Sequence, residues 1–244
     1  MFVPPIPAER STRAGPYLPT GIGRADAGGV NSLIIACSAF AGGLAGTTCV
    51  RLLRRGVRAA PVAALPCAAA TALLWVIAVA RWHGGELPGS WLPALLGLTT
   101  LAVPLVAADL RHHRLPDVLT LSSYPVFAVL LGIAATATPD GALAWRAVAG
   151  AVLFAAAHAA VHVASPRSMG AGDVKLSGVL GAVLGALGWT ALFSAAIVAA
   201  VVTVLLAVYS LRGRVGGGRT GVPHGPGMLI AAWLLSSFPA AGYP

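Results

Sequence analysis

The 244-residue chain has seven acidic residues: Glu9, Asp26, Glu86, Asp109, Asp117, Asp140 and Asp173. Glu9 and Asp26 lie in a Pro-, Gly- and Arg-rich N-terminal stretch, and Glu86 and Asp140 fall in short turns, where a solvated acid needs no special account. Asp109 follows the apolar run LAVPLVAA and opens DLRHHRLPDVLTL, while Asp173 lies in MGAGDVKL directly before another apolar run. Both are helix-end aspartates at the border of apolar segments, where an unpaired carboxylate is costly to bury. One account of each is a helix cap or an ion pair, since Arg111, Arg114 and Lys175 stand close by. The other is chemical. Two carboxylates brought together at a low-dielectric boundary cannot easily both ionise, so they share a proton. One can then act as base on a water while the other polarises a carbonyl, which is sufficient for metal-free amide hydrolysis. Gly170 and Gly172, on either side of Ala171, would let an extended backbone approach Asp173 closely. Asp117 is a second candidate for the first carboxylate, although it also sits where it would cap a helix starting near Val118.

The elements that position these residues read as membrane helices. The chain is 57% hydrophobic and 9% charged, with a mean hydropathy of +0.84, against roughly 25% charged in a soluble domain. Apolar stretches near 30–50, 59–80, 91–108, 118–137, 142–164, 174–188, 189–211 and 223–239 predict an all-α polytopic bundle of seven to eight transmembrane helices. Those at 59–80, containing Pro61 and Pro66, and at 174–188 are the weakest of the set. Residues 1–29 read as a disordered tail, 30–90 as N-terminal helices around a short connection, and 91–240 as the part carrying the chemistry.

Lys and Arg number sixteen. With the first helix running outside to inside, eleven of them fall in or beside inward connections: Arg51, Arg54, Arg55, Arg58, Arg111, Arg114, Arg167, Lys175, Arg212, Arg214 and Arg219. Arg10, Arg13, Arg24, Arg81 and Arg146 fall outward, so the positive-inside bias places the tail outside and Asp109, Asp117 and Asp173 at the cytoplasmic face. The basic excess is thereby an orientation signal. Without a soluble basic domain or a stacking motif, nucleic-acid binding is not expected.

The remaining polar residues are less directive. Cys37, Cys49 and Cys67 have no Cys-x-x-Cys spacing and read as small buried residues rather than as a zinc site or a disulfide framework. His158 and His162, spaced i, i+4, share a helix face and read either as a metal or haem pair or as imidazoles hydrogen-bonded within the bundle. His112 and His113 stand beside Asp109. Trp82, Trp91, Trp145, Trp189 and Trp233 fall near helix ends, as an aromatic belt would place them. The small residues of GAVLGALG at 181–188 allow close helix approach.

Two segments together resemble the type IV prepilin peptidases, the Gly-x-Gly-Asp membrane aspartyl proteases. The first reads Asp109, Arg111, Leu115, Pro116, Asp117, Leu119, Thr120 and Leu121; the second reads Gly170, Gly172, Asp173, Lys175 and Leu176. Pro223, His224, Gly225 and Pro226 are similar to that family's Pro-Phe-Gly-Pro element, with His in place of Phe. The likeness covers about residues 95–240. It implies a bacterial cytoplasmic-membrane enzyme that removes the basic leader from prepilins or pseudopilins, in pilus assembly or protein secretion, with Asp109 and Asp173 as catalytic carboxylates and no cofactor. Gly170, Gly172, Lys175, Arg111, Pro116, Asp117, Gly225 and Pro226 would shape the substrate site. Bifunctional members methylate the new N-terminus with S-adenosylmethionine and carry a cytoplasmic loop with two Cys-x-x-Cys pairs. Here a short Arg-rich connection stands in its place, so methyl transfer is not expected. A reading from another class is a membrane scaffold, or a small proton- or cation-coupled transporter, with its aspartates as ion sites.

Overall fold

A computed structural model describes residues 22–55, 59–137, 141–166, 169–212 and 223–239. Among the described residues every regular element is helical: α1 (Ile22–Arg55), α2 (Ala64–His83), α3 (Leu92–His112), α4 (Asp117–Thr120), α5 (Ser123–Ala135), α6 (Ala142–Ala164), α7 (Ala171–Leu187), α8 (Trp189–Arg212) and α9 (Gly225–Ser237). A compact unit runs from Ile35 to Pro244, and Met1–Ile34 form a separate one. Helix α1 opens at Ile22, inside the stretch read from sequence as a tail; residues 1–21 lie outside the described residues, as do Arg58, Asp140, Arg167, Arg214 and Arg219.

Among the described residues, six helical segments are long and apolar enough to cross a membrane: Asn31–Arg55, Ala64–His83, Leu92–His112, Asp117–Ala135, Ala142–Ala164 and Trp189–Ser210. Helices α7 and α9, at 17 and 13 residues, are shorter than the roughly 20 residues a full crossing takes. The eight apolar stretches are therefore all helical, with 118–137 divided into α4 and α5. The surface fits a lipid solvent. Phe193, Ile197, Val201, Val204 and Val208 form an exposed apolar face on α8, and Val148 and Val152 continue the pattern on α6, where a water-soluble surface would rarely gather so many.

The inside is organised around α7. Leu176, Leu180, Val183 and Leu184 are fully buried. One side of α7 is stripped to glycine and laid against α6: a Cβ on Gly181 would meet the Gly150 carbonyl, one on Gly150 the Gly181 carbonyl, and one on Gly185 the Arg146 carbonyl, each below any contact real Cβ atoms make. Between lipid-solvated helices there is no hydrophobic drive, so such backbone-to-backbone contact supplies the cohesion. The close approach read from 181–188 is thus present, with Gly150 as its counterpart.

Two tryptophans depart from the belt. Trp91 is 0% exposed and its indole N–H donates to the Ser236 carbonyl at 3.0 Å; that of Trp233 donates to Thr99 Oγ1 at 3.1 Å. Each ties α9 to the α3 region, using an indole as a partner for a buried acceptor. Trp82, Trp145 and Trp189 are exposed at helix ends. Of the cysteines, Cys67 is buried, Cys49 half-buried and Cys37 exposed.

Candidate active site

The ends of α1 and α3 and the starts of α4 and α7 surround one cavity of about 1230 Å³, with Asp109 and Asp173 both on its wall. The carboxylates are 5% and 8% exposed respectively, and their surroundings differ in kind. Asp173 is the third residue of α7. Its Oδ2 accepts the Gly170 N–H at 3.1 Å, the returning half of a capping box, and the positive end of the helix dipole faces it. The cap expected for an aspartate here is therefore real and engages one oxygen. Asp109 lies in the last turn of α3, where the dipole disfavours an anion. Its Oδ2 is buried and has no hydrogen-bond partner among the described residues. A buried carboxylate oxygen left unmatched at the unfavourable end of a helix lowers stability, so a cap on its own helix does not account for Asp109; the Gly225 backbone amide at the start of α9 faces the carboxylate.

The chain around Asp109 is shaped to leave that oxygen open. The His113 N–H donates to the Asp109 carbonyl at 2.8 Å, closing α3 with His113 in the left-handed region at φ 52°. His113 is the one non-glycine residue with positive φ among the described residues, and such outliers gather at functional sites. At the start of α9, Gly225 comes so close that a Cβ would stand 2.7 Å from Asp109 Oδ2. Pro226, buried behind it in the first turn of α9, fixes that turn, because proline fits an N-terminal helical position. A Cβ on Gly172 would stand 3.0 Å from the Leu115 Cβ, so the second glycine of the Gly-Ala-Gly-Asp run lets α7 press against the cavity's other wall.

Pro116, Asp117, Gly170, Gly172 and Lys175 also line the cavity. Lys175 Nζ pairs with Asp117 Oδ1 at 2.7 Å, joining α4 to α7 across the mouth, and the Tyr124 hydroxyl donates to the Lys175 carbonyl at 2.7 Å. Asp117, the second candidate for the first carboxylate, is thus an exposed rim acid with a lysine partner. Arg111 is elsewhere: it lines an apolar groove between α2 and α3 with Cys67, Val103 and Leu110. Two residues along a helix turn it by about 200°, to the side opposite Asp109. His113, four residues on, is carried back to the Asp109 side; Arg114, which sequence places near Asp109, lines the cavity, and so does Arg55, which sequence places only in an inward connection.

The histidine pair does not converge. His158 Nδ1 bonds the Phe154 carbonyl and His162 Nδ1 the Met169 carbonyl, each at 2.8 Å. Among the described residues no three metal-binding side chains gather at one point.

Residues 96–208 match the Type IV leader peptidase family. That stretch is similar to a type IV leader peptidase domain. A prepilin leader peptidase/N-methyltransferase of Stutzerimonas stutzeri is 32% identical over 155 residues, 63% of this chain and 51% of that protein. One of Pseudomonas aeruginosa is 32% identical over 165 residues, 68% of this chain and 54% of that protein. The chain spans about half the length of these curated relatives. No solved structure matches it. The leader peptidase match begins within α3 and ends within α8, so it contains both aspartates and the α6–α7 seam, while Gly225 and the rest of α9 lie beyond it.

Proposed function

We propose that this chain is a membrane-embedded aspartyl endopeptidase that removes the basic leader from type IV prepilins or pseudopilins at the cytoplasmic face of a bacterial inner membrane. The observation that carries the reading is Asp109: a buried, unpartnered carboxylate oxygen at a helix end that disfavours it, on the wall of the same cavity as Asp173. The two share one proton. Asp173 has the start of its own helix and the Gly170 N–H at 3.1 Å to favour its ionised form, whereas Asp109 sits at the C-terminal end of its helix with only the Gly225 backbone amide to offset its burial, so the proton rests on Asp109. Asp173 takes a proton from water as the water oxygen attacks the scissile carbonyl carbon. Asp109 donates to the developing oxyanion; as the C–N bond breaks, the proton held by Asp173 passes to the leaving amine and one gem-diol hydroxyl returns its proton to Asp109, leaving a carboxylic acid and the dyad as it began. Arg55, Arg114 and Lys175 around the mouth fit the positive-inside side of a membrane, where the soluble leader of an anchored substrate would lie.

The methyl transfer in the relatives' name is not carried over. The connection 56–63 between α1 and α2 is short and holds no cysteine. The test is cleavage of a co-expressed type IV prepilin in membranes. Asp109→Asn and Asp173→Asn are each expected to abolish processing, while Asp117→Asn retains it and the cleaved product stays unmethylated. Processing that persists in both of the first two variants would overturn the dyad and move weight to an ion-binding scaffold or transporter.

A further inference from the structure

Behind Asp173 lies a second titratable group that the proposed mechanism does not use. His158 of α6, buried at 9% exposure, stands with its ring centroid 5.9 Å from that of His224, the residue before α9, at an interplanar angle of 36°. The hydrogen bonds fix both tautomers. His158 Nδ1 faces a carbonyl, Phe154 O at 2.8 Å, and must donate to it. Thr203 spends its hydroxyl proton on the Ala199 carbonyl, so it accepts from His224 Nδ1 at 2.9 Å. In their neutral forms both rings thus keep a free Nε2 lone pair, able to take a proton without breaking either bond.

The charged surroundings are few. The α6–α7 register that sets Arg146 against Gly185 and Phe154 against Gly181 carries His158, one turn on, toward the start of α7, where Asp173 is the charged group that it meets; Lys175 is paired with Asp117. Along α6, His162 is bonded to Met169 and Arg146 is three turns away. Helices α8 and α9 offer no charged side chain there among the described residues; the Tyr209 hydroxyl of α8 lies on a 79% exposed side chain, and Tyr124 of α5 is held on Lys175 O. Two imidazoles 5.9 Å apart in a poorly solvated site do not both hold a proton.

We propose that His158 and His224 are positioning residues for the dyad: a proton on His158 favours ionised Asp173, and His224, held by Thr203, restrains how readily His158 takes that proton. This rests on the aspartyl peptidase reading. The pair would set the acid limit of the reaction from behind the carboxylate, out of reach of substrate.

The test uses the full chain in lipid nanodiscs and a synthetic type IV prepilin, with kcat/KM followed between about pH 5 and pH 9. His158→Gln is expected to move the acid limb up by about one pH unit, and His224→Phe to move it down by a similar amount. Opposite signs are the signature, because a merely structural loss lowers the plateau and leaves the limb in place. Unmoved limbs, or limbs moving together, would overturn the proposal. A second readout needs no cleavage: the ring 15N titration of His224 is expected to move by about one pH unit on His158→Gln and to respond to Asp173→Asn. A wild-type chain that cleaves nothing sinks the peptidase reading, yet the titration still decides the pair, and a His224 midpoint indifferent to both substitutions refutes it.

Discussion

Glycine does two different jobs at two ends of α7. Along the α6–α7 seam, Gly150, Gly181 and Gly185 are absent side chains facing backbone carbonyls. Backbone cannot rotate out of the way. Near the aspartates, Gly172 faces Leu115 Cβ in the connection between α3 and α4, and Gly225 faces the Asp109 carboxylate, which can turn about its own torsions. The first set holds the bundle together and the second leaves room around the two aspartates. One residue type therefore predicts opposite phenotypes according to what the missing Cβ would touch.

The largest expected effect tests the seam. Gly181→Val would force α6 and α7 apart over their shared contact, and no folded protein is expected to accumulate in membranes. Gly181→Ala is the graded form, costing roughly 1–3 kcal/mol, the range for overpacking a tight interior, as read by steric-trapping or denaturant unfolding in bicelles. Peptidase activity per folded molecule should stay near wild type. A stable Gly181→Ala chain with lost activity would erase the distinction between the two ends.

Gly225→Ala is the converse. Its methyl would sit 2.7 Å from Asp109 Oδ2, and the carboxylate must turn away. A loss of at least about 100-fold in kcat, roughly 2.7 kcal/mol in the barrier, is expected with the unfolding midpoint little changed. Equal losses in activity and stability would show that Gly225 belongs with the packing glycines.

What the sequence made legible follows the same division. Apolar lengths, the Gly-rich run at 181–188 and the order of the aspartate segments are local patterns, and all of them were readable. Gly150, the seam's other half, lies 31 positions before Gly181 in an alanine-rich helix, where nothing local sets it apart. The His158–His224 contact joins residues 66 apart and leaves no periodic trace. Trp91 reads as a belt residue because an indole near a helix end has the same local signature whether it meets lipid headgroups or the Ser236 carbonyl. Arg111 was the avoidable confusion. Residues two apart on a helix do not share a face, whereas residues four apart do, which separates Arg111 from Asp109 and joins His113 to it.

A smaller effect is expected at Gly172. A Cβ there would press on Leu115 Cβ at 3.0 Å, an atom that moves only with its backbone, so the connection between α3 and α4 must give by a few tenths of an ångström. Alanine also improves helix propensity in the first turn of α7 by up to about 1 kcal/mol. The two contributions oppose, so stability should hardly move, while the narrowed wall lowers kcat/KM by about three- to tenfold. A Gly172→Ala chain that is more stable and fully active would mean that Leu115 yields without disturbing the site.

The smallest effect is at the rim. The Asp117 and Lys175 side chains are 60% and 40% exposed, so their ion pair contributes well under about 1 kcal/mol to stability, and either single neutralisation should leave the unfolding midpoint in place. Their distance from each other in sequence gives the bridge its use: it joins α4 to α7 beside the second aspartate. Lys175→Met and Asp117→Asn should each lower kcat/KM about two- to fivefold, the double variant should be no worse than the poorer single, and the reversed pair Asp117→Lys with Lys175→Asp should recover part of the loss. Raised salt should reproduce the wild-type part of this loss and leave the variants unmoved. Asp117→Asn also separates rim from dyad. A few-fold loss fits a carboxylate occupied by lysine, whereas abolition would mean that the acid paired with Asp173 is Asp117, and the unmatched oxygen of Asp109 would then need another explanation.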